Sequence, residues 1–184
     1  MQHVEFVMEF SSLAARRPPS SLLTGARTVL AALTAFTVVA LSGCSSPEFN
    51  AVREYKLFLE NAKPALVAMT EARKELFEVN NPDKMLPLFR DKLLPQVKEL
   101  ERLSAEQAPP IGKLGEIHNS LRETLETYSR STERLVKKLQ TAKEEDREAI
   151  LVMWGEDDGK FGQQMALLVD ELSRYLDSVK NYTP

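Results

Sequence analysis

The sequence contains very little cysteine or histidine. Its 184 residues include 1 Cys and 2 His, which excludes a disulfide-stapled fold and leaves too few ligands for a typical zinc or haem site. The formal net charge is −3, so there is no basic excess to suggest nucleic-acid binding. With 43% hydrophobic and 28% charged residues, the chain is neither disordered nor a polytopic membrane protein. We therefore expect one folded domain and predict no cofactor.

The N-terminal quarter has the anatomy of an export signal. A basic region containing Arg16, Arg17 and Arg27 precedes a run of 14 residues, Thr28 to Leu41, without a charge, Pro or Gly. Such a run fits the apolar core of a secretory signal, which is about 7 to 15 residues long. A membrane-spanning helix needs about 20. We predict that residues 1–43 are a signal peptide that is removed.

The apolar run ends in the tetrad Leu41-Ser42-Gly43-Cys44. In this position the tetrad resembles the lipobox of bacterial lipoproteins, which follows a type II signal peptide. The resemblance implies that Cys44 becomes the first mature residue, linked to diacylglycerol and acylated with a fatty acid such as palmitate. Two or more acyl chains anchor a protein stably to a bilayer. An uncleaved anchor with a free cysteine, or a chance match, are the alternatives.

Ser45 favours one membrane over the other. Inner-membrane lipoproteins of enteric bacteria usually carry Asp at the position after the cysteine, so the resemblance favours the outer membrane. The expected location is therefore the bacterial cell envelope, with the membrane bound through Cys44.

The rest of the chain is predicted to be helical. It is rich in Leu, Glu, Lys and Ala, which favour helix, and shows no sustained alternation typical of strands. We predict a short lipidated tether at residues 44–47 and a single domain at residues 48–182. The expected fold is all-α, an elongated antiparallel up-down bundle of about four helices.

Proline and asparagine mark the boundaries of these helices. The first helix is predicted over residues 48–79, and the second starts with Asn81 as its cap and Pro82 at its first position. Pro87 and Pro95 should make the second helix bent or irregular near its start. The third helix is predicted from Pro110 to residue 141, and the fourth over residues 144–182.

The mature chain offers no recognisable catalytic set. His3 falls in the predicted signal, which leaves His118 beside the apolar stripe of the third helix. A di-metal bundle site needs Glu-x-x-His on two helices, and a nucleophilic triad needs a serine presented on a strained turn. Neither pattern occurs. We expect His118 to be a packed, hydrogen-bonded residue of the bundle.

An acidic, glycine-rich segment interrupts the stripe of the fourth helix. Asp157 and Asp158 lie between Trp154 and Phe161, where apolar residues are expected. If the last two helices pair as a hairpin, Asp158 could join a polar layer with Arg130 or Thr132. The alternative, which we favour here, is a solvated kink or a loop that divides the helix, because charge runs usually face solvent.

The second half resembles, in outline, the helical hairpin of small uncharacterised bacterial secreted proteins and lipoproteins. The similarity covers about residues 108–180 and includes Pro109, Pro110, Leu114, Ile117, His118, Leu121 and Tyr128. It implies no activity.

These observations favour a non-enzymatic, lipid-anchored helical module with a protein or other envelope partner of unknown identity. One alternative is an envelope enzyme or enzyme subunit that uses Glu156, Asp157 and Asp158. Another is a carrier of an apolar ligand between the helices, which requires a cavity.

Overall fold

Four helices make up the part of the chain that the computed structural model describes, residues 47–79 and 81–180. Helix α1 is Pro47–Glu78, α3 is Lys113–Thr141 and α4 is Glu144–Lys180. Helix α2 joins three consecutive segments, Pro82–Pro87, Leu88–Leu93 and Leu94–Glu106. These ranges contain no strand, and the helices pack against one another, which confirms the predicted all-α bundle. The predicted signal, Cys44 and the predicted end of the last helix at residue 182 lie outside the described residues.

Local sequence sets most of the helix ends. The Asn81 side chain caps α2 by accepting a 2.9 Å hydrogen bond from the backbone N–H of Asp83, and Pro82 begins the helix, as predicted. Pro47 is the first residue of α1, a position where proline costs no hydrogen bond.

The predicted start of α3 at Pro110 is wrong. The helix begins at Lys113, and Gly112 before it has a φ of 69°. That backbone conformation lies outside the right-handed helix and favours glycine. The turn at Gly112 therefore separates Pro110 from the helix.

The irregularity predicted for α2 takes the form of a π-helical segment, Leu88–Leu93, between Pro87 and Pro95. The N–H of Leu94 bonds to the carbonyl of Phe89, five residues back. The wider turn keeps Phe89, Leu93 and Val97, which are spaced by four, on one buried face. The π-helical segment therefore allows all three apolar side chains to be buried in the core.

The bundle runs up and down, and the closest helix pairs are neighbours along the chain, α1 with α2, α2 with α3, and α3 with α4. Side chains of α1 and α4 also meet in the core, for example at the salt bridge between Arg73 and Asp158. The core includes Tyr55, Met69, Leu76, Phe89, Leu93, Leu114, Leu139 and Trp154. No helix of the described residues is long and apolar enough to cross a bilayer.

Candidate functional site

A buried ion pair links the first helix to the last. Arg73 of α1 donates from Nε to Oδ1 of Asp158 at 2.8 Å and from Nη2 to Oδ2 at 2.7 Å. The Arg73 side chain is 8% exposed and that of Asp158 is 0% exposed. Such a paired, two-point contact is the strongest geometry for a guanidinium and a carboxylate. It fixes α1 against α4 in one register.

Tyr128 of α3 completes this polar layer. Its hydroxyl donates to Oδ1 of Asp158 at 2.6 Å, so the carboxylate accepts three hydrogen bonds from two other helices. Burial raises the pKa of Tyr128 well above its usual value, and the negative charge of Asp158 adds to the rise. The phenol therefore stays neutral and remains a donor. Arg73, Tyr128 and Asp158 together form the polar layer of the bundle.

The electrostatics also keep Arg73 charged. Burial by itself would lower its pKa, but the hydrogen bond and the charge of Asp158 outweigh burial and raise the pKa above the usual value. A buried charge without a partner would be costly. The structure therefore holds Arg73 and Asp158 as a mutually dependent pair.

Aromatic rings enclose the polar layer on one side. Phe161 stacks on Tyr128 with ring centroids 3.9 Å apart, and the Arg73 guanidinium lies 5.4 Å from the Phe161 centroid. Trp154, one turn before Asp158, packs edge-on against Phe89 at 4.7 Å. Phe161 therefore packs against both Tyr128 and Arg73 of the polar layer.

The structure does not pair Asp158 with Arg130 or Thr132, the partners predicted for it from the sequence. Arg130 is exposed and pairs with Glu126 on its own helix, so it does not reach Asp158. Thr132 is fully buried, but its hydroxyl donates to the carbonyl of Tyr128 at 2.8 Å. Both predicted partners of Asp158 are therefore wrong. Tyr128, two residues before Arg130 on the facing helix, supplies the actual contact from α3.

Asp157 lies on the outer side of the same turn. Its carboxylate accepts a 2.6 Å hydrogen bond from the hydroxyl of Ser131, and the Lys160 ammonium lies 3.8 Å away. It is exposed and does not contact the polar layer. The two neighbouring aspartates thus have separate roles, Asp158 toward the core and Asp157 toward solvent.

For the acidic, glycine-rich segment around Asp157 and Asp158, the favoured interpretation as a solvated kink or loop is wrong. Helix α4 is continuous from residue 144 to 180, and Asp158 is completely buried within it. The glycines are tolerated because the helix packs along its length against α3. At Gly162 an added side-chain carbon would lie 3.6 Å from Arg73 Nη2, an ordinary van der Waals distance.

Sequence reasoning missed Arg73, although a signal for it exists. The apolar stripe of α1 includes Met69 and Leu76, and position 73 falls between them at spacings of four and three. An arginine at such a position faces the core and needs an acidic partner. Asp157 and Asp158 interrupt the apolar stripe of α4 between Trp154 and Phe161, and Asp158 is the partner.

His118 is packed and hydrogen-bonded, as predicted. It is fully buried, and its Nε2 lies 3.0 Å from the carbonyl oxygen of Ser104. A carbonyl only accepts, so Nε2 carries the proton in this contact. Its ring meets Tyr55 and Phe58 edge-on at 5.6 and 5.4 Å.

An apolar cavity of about 80 Å³ lies between α1 and α4 near the start of α1. It is partly open to solvent, and residues of α2 and α3 also line it. No charged side chain lines it. Its walls include Tyr55, Phe58, Leu66, Leu125, Met165 and Leu172.

The chemistry available in this part of the chain is therefore limited. Both oxygens of Asp158 are engaged by the polar layer, and within residues 47–79 and 81–180 no three His, Cys, Asp or Glu are gathered as a metal site. No known protein family, curated protein or solved structure matches the chain. The polar layer acts on the packing of three helices, and the cavity is the place suited to a small apolar molecule.

Proposed function

We propose that the protein is a bacterial envelope lipoprotein whose helical bundle is a non-enzymatic binding or structural module. The observation that carries the proposal is the spacing between Cys44 and the bundle. Helix α1 begins at Pro47, three positions after Cys44. Cleavage before Cys44 would remove the signal and leave every described helix intact.

This arrangement would hold the bundle close to a bilayer. Residues 44–46 reach at most about 10 Å when fully extended, and two or more acyl chains give stable anchoring. Ser45 keeps the outer membrane as the favoured location. The partner of the exposed helical faces is an envelope protein or other envelope component of unknown identity.

The way the acidic cluster is divided supports a binding role over an enzymatic one. An enzyme using Glu156, Asp157 and Asp158 would need them to converge on a substrate. Asp158 faces the core with both oxygens engaged, whereas Glu156 and Asp157 are exposed on the other side of the helix. Separated carboxylates do not form an acid–base pair.

The second candidate function, a carrier of an apolar ligand, is favoured by one observation. The cavity beside Tyr55 is apolar and partly open, and apolar cavities stay dry and accept apolar molecules. This candidate is compatible with the lipid anchor, since a tethered module can also bind a small ligand.

Substitution of Cys44 tests the proposed anchor. In bacterial cells, Cys44→Ala should abolish labelling of the protein by a fatty-acid probe and leave the signal uncleaved, because the thiol that accepts the diacylglycerol is lost. The protein should then migrate at its full precursor mass. Ser45→Ala is the matched control and should be labelled and processed normally. Labelling of the Cys44→Ala protein would overturn the proposal.

A further inference from the structure

The two ends of the bundle differ in polarity. One end, called the Pro47 end here, comprises the start of α1, the α2–α3 loop at residues 107–112 and the C-terminal part of α4. Its loop, Gln107 to Gly112, contains no charged residue. At the opposite end, where α3 turns into α4, Lys143 to Asp146 are four consecutive charged residues, and all are exposed. The Pro47 end is therefore the end suited to a less polar environment.

Contacts between helices place the parts of the Pro47 end together. Lys113, the first residue of α3, has its Nζ 2.6 Å from a carboxylate oxygen of Glu171 on α4. Burial raises the pKa of Tyr175 above its usual value, and the negative charge of Glu48 adds to the rise. The first turn of α1 therefore lies close to the same part of α4 as the α2–α3 loop does.

The α2–α3 loop carries an unusually exposed apolar side chain. Ile111 is 87% exposed, the highest value among the exposed large apolar side chains of the described residues. Ala108 and Pro109 beside it are exposed as well. Single exposed apolar residues are common on protein surfaces, so the position of Ile111 at the Pro47 end is what gives it meaning.

The backbone of this loop is constrained. Pro109 and Pro110 each have a fixed φ, and Gly112 takes a φ of 69° that favours glycine. The carbonyl oxygen of Pro110 packs so closely on α3 that a Cβ at Gly115 would lie 2.1 Å from it. The loop therefore holds Ile111 in solvent, away from the core of the bundle.

The segment of the sequence suited to a membrane joins the fold at the same end. Helix α1 begins at Pro47, three positions after Cys44 and six after the end of the apolar run Thr28 to Leu41. A lipid on Cys44 and an uncleaved apolar run would both attach the bundle at this end. Residues 44–46 span at most about 10 Å, about the diameter of one helix. The bilayer surface would thus lie within reach of the α2–α3 loop.

We propose that the Pro47 end is a membrane-facing surface and that the α2–α3 loop inserts Ile111 into the lipid interface. The inference rests on the proposed membrane anchor and adds an orientation to it. The opposite end, with the exposed charges of residues 143–146, points away from the bilayer. Binding to a lipid interface strengthens with the apolar area that it buries, so the loop supplies a second contact beside the anchor.

Tryptophan probes at two exposed positions test the orientation. Ile111→Trp reports on the loop, and Met153→Trp is the matched control, because Met153 is 59% exposed and lies about 40 Å from the C-terminal end of α4. The native Trp154 is 4% exposed and gives the same baseline in every variant. The lipidated full-length products are placed in phosphatidylcholine vesicles with or without brominated acyl chains, which quench nearby tryptophan.

The emission of Ile111→Trp should shift to shorter wavelength and lose intensity in the brominated vesicles. Met153→Trp should lose no more than the wild-type protein does. Absence of quenching at position 111 would overturn the proposal. Equal quenching at both positions would overturn it as well, since the bundle would then lie flat on the bilayer.

A third probe separates insertion of Ile111 from simple proximity. Ala108→Trp lies in the same loop and should also be quenched. Ile111→Asp, added to it, should lower the ratio of inserted to free loop about threefold or more, because an apolar contact is replaced by a charge. Met153→Asp, added in the same way, should leave the quenching unchanged. If Ile111→Asp had no effect either, Ile111 would not insert.

Failure of the anchor and failure of this inference give different results. The mass of the purified protein reports whether Cys44 carries lipid. If the thiol is free, the protein is coupled through Cys44 to a phospholipid with a maleimide headgroup, which keeps the attachment point, and the probes are measured again. Quenching of Ile111→Trp but not of Met153→Trp in that form supports the membrane-facing surface and removes only the natural anchor. Absence of quenching at Ile111→Trp contradicts the inference whichever way Cys44 is attached.

Discussion

At the scale of single residues, Arg73 occupies a place on α1 where an apolar side chain would also fit. A buried ion pair is a weak source of net stability, because desolvating two charges costs about as much as their attraction returns. Its effect is on specificity. Any register that separates Arg73 from Asp158 leaves two buried charges unpaired, so the polar layer penalises alternative packings of α1 against α4.

Removal of either charge should therefore be severe, and removal of both much less so. Asp158→Ala leaves the Arg73 guanidinium and the Tyr128 hydroxyl without their acceptor, so the free energy of unfolding should fall by about 3–5 kcal/mol. Arg73→Met should cost a similar amount. The double variant should lose less than the sum of the two, with a coupling energy of about 2 kcal/mol or more. Denaturant unfolding of the four proteins measures this coupling.

Arg130→Ala is the matched control for this cycle. Arg130 is 63% exposed and pairs with Glu126, so its loss should change stability by no more than about 0.5 kcal/mol. Its coupling to Asp158 should be close to zero. If Arg130 coupled to Asp158 as strongly as Arg73 does, the partners assigned to the carboxylate would be incorrect.

At the scale of elements, two glycines in helices face very different surroundings. A Cβ at Gly115, near the start of α3, would lie 2.1 Å from the carbonyl oxygen of Pro110. Gly115 therefore lets the α2–α3 loop lie directly against the helix. A Cβ at Gly155, in α4, would have no heavy atom within 4 Å. No steric constraint therefore requires glycine at position 155.

Alanine at these two positions should have opposite effects. Gly115→Ala must displace the Pro110 backbone, so it should lower the free energy of unfolding by about 1–3 kcal/mol. Gly155→Ala should raise it by about 0.5–1 kcal/mol, because alanine is the better helix former and meets no neighbour. Denaturant midpoints of the two variants and the wild type test both signs. Stabilisation by both would mean that the loop does not approach α3 this closely.

The elements themselves are largely predictable because their signals are local. The cap at Asn81, the proline breaks and the three-four stripes each depend on residues within one or two turns. The π-helical segment is only half predictable. Pro87 and Pro95 predict an irregular stretch. Its π-helical form depends on the burial of both Phe89 and Leu93, which is a property of the packed core.

At the scale of the whole molecule, the limit of sequence reasoning is the arrangement of helices that are distant in the chain. Hairpin pairing of α3 with α4 places Asp158 close to Tyr128, and that much follows from a short turn. Arg73 lies 85 residues from Asp158, and no local rule states which face of α1 closes the bundle. The cavity is unpredictable for the same reason, because its two main walls belong to α1 and α4.

His118 lies where three of the helices meet and so couples its protonation to the whole bundle. It belongs to α3, bonds to Ser104 of α2 and packs against Tyr55 and Phe58 of α1. Burial lowers its pKa below the usual value, and the positive charge of Arg122 acts in the same direction, while the hydrogen bond to Ser104 opposes them. The native bundle therefore holds this imidazole neutral at pH values where an unfolded chain protonates it.

The stability of the bundle should consequently decrease as the pH falls below about 6.5, the ordinary pKa of histidine. The unfolded state then binds a proton that the native state does not, so the free energy of unfolding declines with a slope approaching about 1.4 kcal/mol per pH unit until the pH reaches the lowered native pKa. His118→Gln keeps a donor for the Ser104 carbonyl but does not titrate. As the pH falls from about 7.5 to 5, the free energy of unfolding of His118→Gln should therefore rise relative to that of wild type. Denaturant unfolding at fixed ionic strength measures both values. Parallel pH profiles for the two proteins would show that His118 is not the group responsible, since the carboxylates that titrate at lower pH are common to both.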